Sequence, residues 1–146
     1  SAKKKILNNL SYLSLILKNM AEFSYEEAVY GATCYIFLTD DGELSVEEQE
    51  TINDLFFDMY NFSFEQKNLV LRRLKSKGST IFFHNVVDCL NEYSKARKLE
   101  ALASILVIID KDDDKHYLPT NKRRPFNKIQ EAIGISDDDL SNYFNN

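Results

Sequence analysis

Apolar residues recur at helical spacing along most of the chain, and this pattern predicts helices rather than strands. The first segment shows it clearly, because one stripe of a helix would carry Ile6, Leu10, Leu13, Leu17 and Met20. The chain has only four glycines and two prolines, which leaves little turn chemistry for a many-stranded fold. The sequence therefore predicts an all-α protein of about eight helices.

Short polar motifs predict where several of these helices begin and end. In a capping box, a Ser side chain and a Glu or Gln three residues later bond each other's backbone N–H groups. Three such pairs occur: Ser24 with Glu27, Ser45 with Glu48, and Ser63 with Gln66. Ser136 is expected to cap the last helix, and Gly78 to end the fourth. Pro125 is expected at the first position of the seventh helix, where its missing N–H costs nothing.

An acidic turn occurs twice in the chain, at a spacing of 73 residues. At this shift the matching pairs are Asp40 and Asp113, Asp41 and Asp114, Leu44 and Tyr117, and Ser63 and Ser136. Each turn follows a long apolar run and precedes another helix. We therefore interpret residues 1–146 as one helical domain with two pseudo-repeated four-helix halves, residues 3–73 and 76–146.

Composition narrows the class of protein. A chain of 146 residues with 44% apolar content can bury one core, and a formal net charge of -5 is unlike a nucleic-acid-binding surface. No apolar run approaches the roughly 20 residues that a membrane span needs, and the basic start lacks the continuous apolar stretch of a signal peptide. Cys34 and Cys89 lie inside apolar runs without metal-ligand spacing. We expect buried thiols, a reducing compartment and a cytoplasmic location.

The first acidic turn brings several carboxylates together around Gly42, which can adopt a positive φ. Its acids are Asp40, Asp41, Glu43 and Glu48. Clustered oxygen ligands are what calcium and magnesium require, so this turn is a candidate site for a divalent cation. The alternative is structural, because Glu48 also completes the capping box with Ser45, and acids near a helix start are stabilised by the helix dipole.

The second acidic turn partly matches a calcium-binding EF-hand loop. Asp110, Asp112 and Asp114 occupy the first, third and fifth positions of that loop. Lys115 replaces the required glycine, however, and Asn121 replaces the glutamate that would close the ligand shell. We therefore expect a weak cation site here, or charge pairing with the basic residues that follow.

Those basic residues are Lys122, Arg123 and Arg124, which can bind a phosphate or an acidic protein partner. The alternative is local charge balance on a solvated surface.

His84 and Asp88 lie four residues apart but have no third zinc ligand beside them, so we expect a partly buried histidine with a carboxylate neighbour. The sequence contains no nucleophile–base pattern and no glycine-rich phosphate loop, and we do not expect an enzyme.

The segment from Gly31 to Ile52 resembles a TerB-like tellurite-resistance domain. In that family, two units each have an apolar helix ending in Asp-Gly, then a hydrophobic residue, a Glu and a second apolar helix. Asp41, Gly42 and Glu48 match the first unit, and Asp114 matches the second. The resemblance covers roughly residues 24–144. It implies an all-helical scaffold with acidic loops associated with metal binding, and a stress-response or membrane-associated interaction module rather than an enzyme.

Two hypotheses for function remain open. The first is a cytosolic binding module whose turn at 40–43 binds a divalent cation or a basic partner. The second is an adaptor, inhibitor or immunity-type protein that presents acids and tyrosines to a basic protein partner without metal. A hydrolase is a third idea, and it would require a pocket that gathers acids from both turns with a histidine.

Overall fold

The computed structural model describes residues 1–21, 23–41, 45–112 and 120–145, with the backbone alone at 14–21, 40–41, 110–112 and 120–121. These residues form eight α-helices and no strand, which confirms the all-α prediction. The helices are α1 (Ala2–Ala21), α2 (Tyr25–Asp41), α3 (Val46–Met59), α4 (Phe64–Lys77), α5 (Ser79–Leu90), α6 (Lys95–Asp112), α7 (Thr120–Ala132) and α8 (Asp137–Asn145).

The helix α2 lies at the centre of the fold. It contacts α3, α4, α5, α6 and α7, and every residue from Glu27 to Phe37 is buried. Gly31 allows α5 to approach closely, because a Cβ at this position would lie 3.0 Å from Phe82 Cζ and 3.1 Å from Val86 Cγ2. Glycine has a poor helix propensity, so its place inside α2 is explained by this close packing.

Aromatic side chains fill the space between α2 and α3. The Tyr30 ring lies edge-on to Phe56 with centroids 5.1 Å apart, and 5.0 Å from Phe62. The Tyr30 hydroxyl donates a 2.8 Å hydrogen bond to Asn53 Oδ1. The ring is therefore buried while its polar end keeps a partner, as a buried tyrosine requires.

The predicted serine caps at the helix starts are confirmed. Ser45 with Glu48 and Ser63 with Gln66 form complete capping boxes. The same reciprocal bonds join Ser24 with Glu27 and Ser136 with Asp139. Gly78 caps the end of α4 with a φ of 79°, a conformation that favours glycine.

The predicted position of Pro125 is wrong. α7 begins at Thr120 and continues through Pro125, so the proline lies inside the helix. A proline there cannot donate a hydrogen bond to the preceding turn. Lys122 and Phe126, on either side of it, are both buried, at 6% and 2% exposed, so packing holds the helix together across the proline.

The helix α1 is different from the others. Residues 1–13 are all exposed, and the apolar side chains Ile6, Leu10 and Leu13 are 59%, 57% and 53% exposed. The side chains of Leu17 and Met20, which the sequence placed on the same stripe, lie outside the described set. The described half of this stripe is therefore not part of the core.

Candidate functional site

An open groove of about 440 Å³ runs along α7. It is lined by Arg123, Arg124, Asn127, Lys128 and Glu131. Residues four apart on a helix lie on the same face, which brings Arg124 beside Lys128 and Arg123 beside Asn127. The helix therefore presents three cationic side chains and one carboxylate along a single groove.

The ammonium of Lys128 is held by two buried aromatic residues. Its Nζ donates a 3.1 Å hydrogen bond to the Tyr35 hydroxyl and lies 4.3 Å from the centroid of the Phe83 ring. Tyr35 belongs to α2 and Phe83 to α5, and each is 7% exposed. A cation over an aromatic face is attracted by the ring. Lys128 is therefore a positioned charge at the groove rather than a freely rotating one.

Lys122 has a different environment from its two basic neighbours. It is 6% exposed, and its ammonium lies 4.9 Å from the centroid of the Phe37 ring. Arg123 and Arg124 are exposed and line the groove. Lys122 therefore packs in the interior and does not line the groove. Lys128 was not among the predicted partner-binding residues, although it lies four residues after Arg124 in the sequence.

The side chains of most of the predicted cation ligands lie outside the described set. Glu43 and Asp114 are not described. Asp40 and Asp41 end α2, and Asp110 and Asp112 lie in the last turn of α6, with the backbone alone described. The structure therefore describes the backbone at the ends of α2 and α6, but not the positions of these carboxylates.

Glu48 is described, and its carboxylate acts as a helix cap. Its Oε1 accepts a 3.2 Å hydrogen bond from the Ser45 N–H, and its own N–H donates a 3.0 Å bond to Ser45 Oγ. This geometry supports the structural alternative for Glu48, since one carboxylate oxygen is already occupied.

The described residues contain no group of three or more His, Cys, Asp or Glu side chains that could hold a metal ion. His84 and Asp88 are both exposed on α5, so the expectation of a partly buried histidine is wrong. The His84 ring lies 5.5 Å from the Phe83 ring, centroid to centroid. The spacing of four residues places His84 and Asp88 on the same side of α5, and this side faces the solvent.

A pair of tyrosines joins the beginning of α2, the residue that follows α3, and α6. The Tyr60 and Ser104 hydroxyl oxygens lie 2.7 Å apart, and the Tyr25 and Tyr60 rings lie 6.3 Å apart, centroid to centroid. Burial is the largest cause that raises the pKa of both tyrosines above the ordinary value of 10. Near neutral pH they are therefore neutral, hydrogen-bonded core groups, which favours a structural role over proton transfer.

The prediction that both cysteines are buried is confirmed. Both are free thiols, and burial raises the pKa of Cys34 to about 12. The Cys89 thiol donates to the Phe23 carbonyl oxygen, with 3.1 Å between Sγ and O. A thiol with such a high pKa is a poor nucleophile near neutral pH, because the thiolate is the reactive form.

Comparison with known proteins assigns no relative to this arrangement. No family model matches the chain, and neither the curated proteins nor the solved structures contain a match. Within the described ranges, no helix has the length and apolar character needed to cross a membrane.

Proposed function

We propose that this protein is a non-enzymatic helical binding module and that the α7 groove binds an acidic segment of a protein partner. The observation that carries the proposal is the alignment of Arg123, Arg124 and Lys128 along one open groove. An arginine guanidinium can bind a carboxylate through two parallel hydrogen bonds, which gives direction as well as attraction.

The other groove residues fit this role. The Asn127 amide can both donate to and accept from the backbone of a bound segment. Among the described residues that line the groove, Glu131 supplies the only negative charge, and it lies at the end farthest from Arg123 along the helix. An acidic ligand would therefore be attracted to one end and repelled from the other. The groove volume of about 440 Å³ falls in the range of ligand sites, roughly 300–1,000 Å³.

The test uses two fluorescein-labelled peptides, one with a run of glutamates and one with glutamines in their place. We expect the glutamate peptide to bind and its affinity to fall with added salt, because exposed charges are screened. Arg124→Glu is expected to weaken binding by tenfold or more. The matched control is Arg72→Glu, an exposed arginine on α4, which should leave binding unchanged. Equal binding of both peptides, or an equal loss in Arg72→Glu, would contradict the proposal.

A second candidate function is cation binding at the acidic ends of α2 and α6. Its support is that the two helices contact each other and that their beginnings are adjacent, since the Tyr25 hydroxyl bonds the Arg97 carbonyl at 2.8 Å. Both helices then end in acidic residues, and hard cations prefer oxygen ligands. This second candidate function includes the resemblance to TerB-like domains and a cytoplasmic, stress-related role.

Titration with calcium or magnesium, followed by the amide NMR signals of residues 39–48, tests the second candidate. Signals that do not move at millimolar metal would exclude it. The two candidates are separable, because binding of the glutamate peptide to the α7 groove should survive a chelator.

A further inference from the structure

The exposed apolar stripe of α1 has the spacing of a helix-packing seam. Ile6, Leu10 and Leu13 follow one another at intervals of four and three residues, the repeat by which one helix packs along another. The helix is also strongly basic, with four lysines and no acidic residue in residues 1–21 of a chain whose formal net charge is -5. These features predict packing against an apolar helical surface that carries negative charge at the end beside the basic start of α1.

Such a surface exists on α6. Leu99, Ala103, Leu106 and Val107 share one face of this helix, because they are spaced four, three and one residues apart. The first three are half-buried, and Val107 is 43% exposed. We call these four residues the α6 strip. The central helix α2 has no comparable open strip between Glu27 and Phe37, where every residue is buried.

The helix α5 covers α2, and this contact distinguishes α2 from α6. Two other contacts of α6 match contacts of α2, since α2 contacts α4 and α7 while α6 contacts α8 and α3. In this comparison each helix corresponds to the helix four positions away in chain order: α2 to α6, α4 to α8, and α7 to α3. By the same rule, the helix that covers α6 as α5 covers α2 would be α1.

The way α5 packs on α2 also predicts the direction of this contact. The Phe83 ring lies 5.2 Å from the Tyr35 ring, whereas the Cys89 thiol reaches the Phe23 carbonyl. The beginning of α5 therefore lies near the end of α2, which makes the pair antiparallel. An antiparallel α1 would place its basic start beside the end of α6.

We propose that α1 of one copy covers the α6 strip of a second copy, and that the exchange is reciprocal in a two-fold dimer. A second copy is favoured over the same chain because residues 1–13 of α1 are all exposed and Val107 of the α6 strip is 43% exposed. Charge supports the pairing. Lys3, Lys4 and Lys5 would lie beside the sequence Asp110-Lys111-Asp112 and the negative end of the α6 dipole.

The lengths of the two helices also agree. α1 has 20 residues and α6 has 18, which correspond to lengths of roughly 30 and 27 Å. One helix can therefore cover the other over nearly its full length, and the reciprocal contact doubles the interface.

The first test is the mass of the full chain in solution, measured by sedimentation or light scattering. We expect twice the 17.0 kDa of one chain. Leu10→Asp and Val107→Asp are each expected to give monomers with unchanged helical circular dichroism, because both side chains are exposed. The control is Tyr12→Asp, at a side chain that is 65% exposed and off the apolar stripe, which should stay dimeric. A monomeric wild type at about 100 µM, or equal disruption by Tyr12→Asp, would overturn the proposal.

Cross-linking separates this dimer from other arrangements. A protein with both Leu10→Cys and Val107→Cys, treated briefly with a bis-maleimide, is expected to give a product of twice the chain mass. A cross-link within one chain would mean that α1 covers its own α6. A cross-link between two copies of the single variant Leu10→Cys would mean that α1 pairs with α1. A monomer that binds vesicles of anionic phospholipid through α1 would point to a lipid surface. Each of these three results would overturn the proposal.

Discussion

The Tyr25 hydroxyl donates a 2.8 Å hydrogen bond to the Arg97 carbonyl oxygen, while the Arg97 guanidinium lies 3.8 Å from the centroid of the same tyrosine ring. These two contacts join the beginning of α2 to the beginning of α6. Tyr25 is 3% exposed, so its hydroxyl has exchanged water for this bond. The tyrosine is therefore a neutral donor locked between two helices, and its ionisation would place a charge in the core.

We expect alkaline pH to destabilise the protein through this residue. Burial raises the pKa of Tyr25 above its ordinary value of 10. The corresponding stability is therefore fully present below pH 10 and is lost as the pH rises toward the folded-state pKa. Urea unfolding between pH 8 and pH 11 should show a free energy of unfolding that falls above pH 10.

The variant Tyr25→Phe checks the cause. It should lower the free energy of unfolding by about 0.5–1.5 kcal/mol near pH 7, through the lost hydrogen bond, and reduce the fall above pH 10. Tyr143→Phe is the control, because Tyr143 is 42% exposed and its loss should leave the pH dependence unchanged. If both variants keep the full alkaline fall, burial of Tyr25 is not its cause.

Acid pH is expected to loosen α8. Lys95 Nζ lies 2.8 Å from Asp139 Oδ1, and Asp139 also accepts a hydrogen bond from the Ser136 N–H. The bond from Lys95 is the largest cause that lowers the pKa of Asp139 from 3.8 to about 2. The stabilising contribution is therefore present above pH 3.8 and is lost as the pH falls toward 2.

Amide protection of residues 137–145, corrected for the intrinsic exchange rate, measures this loosening. We expect protection to fall between pH 4 and pH 2, while the amides of α2 keep theirs. Asp139→Asn should produce the same local loss at pH 7, and Asp138→Asn, in the same first turn, should not. Loss of protection in α2 together with α8 would show global unfolding instead.

The starts of the serine-capped helices were predictable because their determinants are local. Ser63 and Gln66 bond each other across three residues, and no tertiary contact is needed to define that box. The burial of Lys122 was not predictable, because it depends on Phe37, far away in the sequence. The same holds for Lys128, whose ammonium is fixed by Tyr35 on another helix. Spacing along a helix predicts which side chains share a face, but not which face the core will cover.

A substitution at Glu48 separates its capping role from a role in cation binding. Glutamine can replace glutamate in a capping box, so Glu48→Gln should change the free energy of unfolding by less than about 0.5 kcal/mol. Glu48→Ala removes the side-chain acceptor for the Ser45 N–H and should cost about 1 kcal/mol. If Glu48→Gln abolishes a calcium response at residues 39–48 without loss of stability, the carboxylate serves the cation as well as the helix.

The close approach of α5 to α2 at Gly31 provides the last prediction. A Cβ at Gly31 would lie 3.0 Å from Phe82 Cζ, and a branched side chain would extend further into α5. Gly31→Val should therefore lower the free energy of unfolding by about 1–3 kcal/mol, the usual cost of overpacking. The control is Ile81→Val at a site on α5 that is 53% exposed, where we expect a change within about 0.5 kcal/mol. Gly31→Ala has two opposing effects: a gain in helix propensity of about 1 kcal/mol and a tight contact with Phe82. The sign of the change in the free energy of unfolding therefore shows whether the Phe82 ring can move. Unchanged stability in Gly31→Val would mean that α5 does not approach α2 as closely as the structure shows.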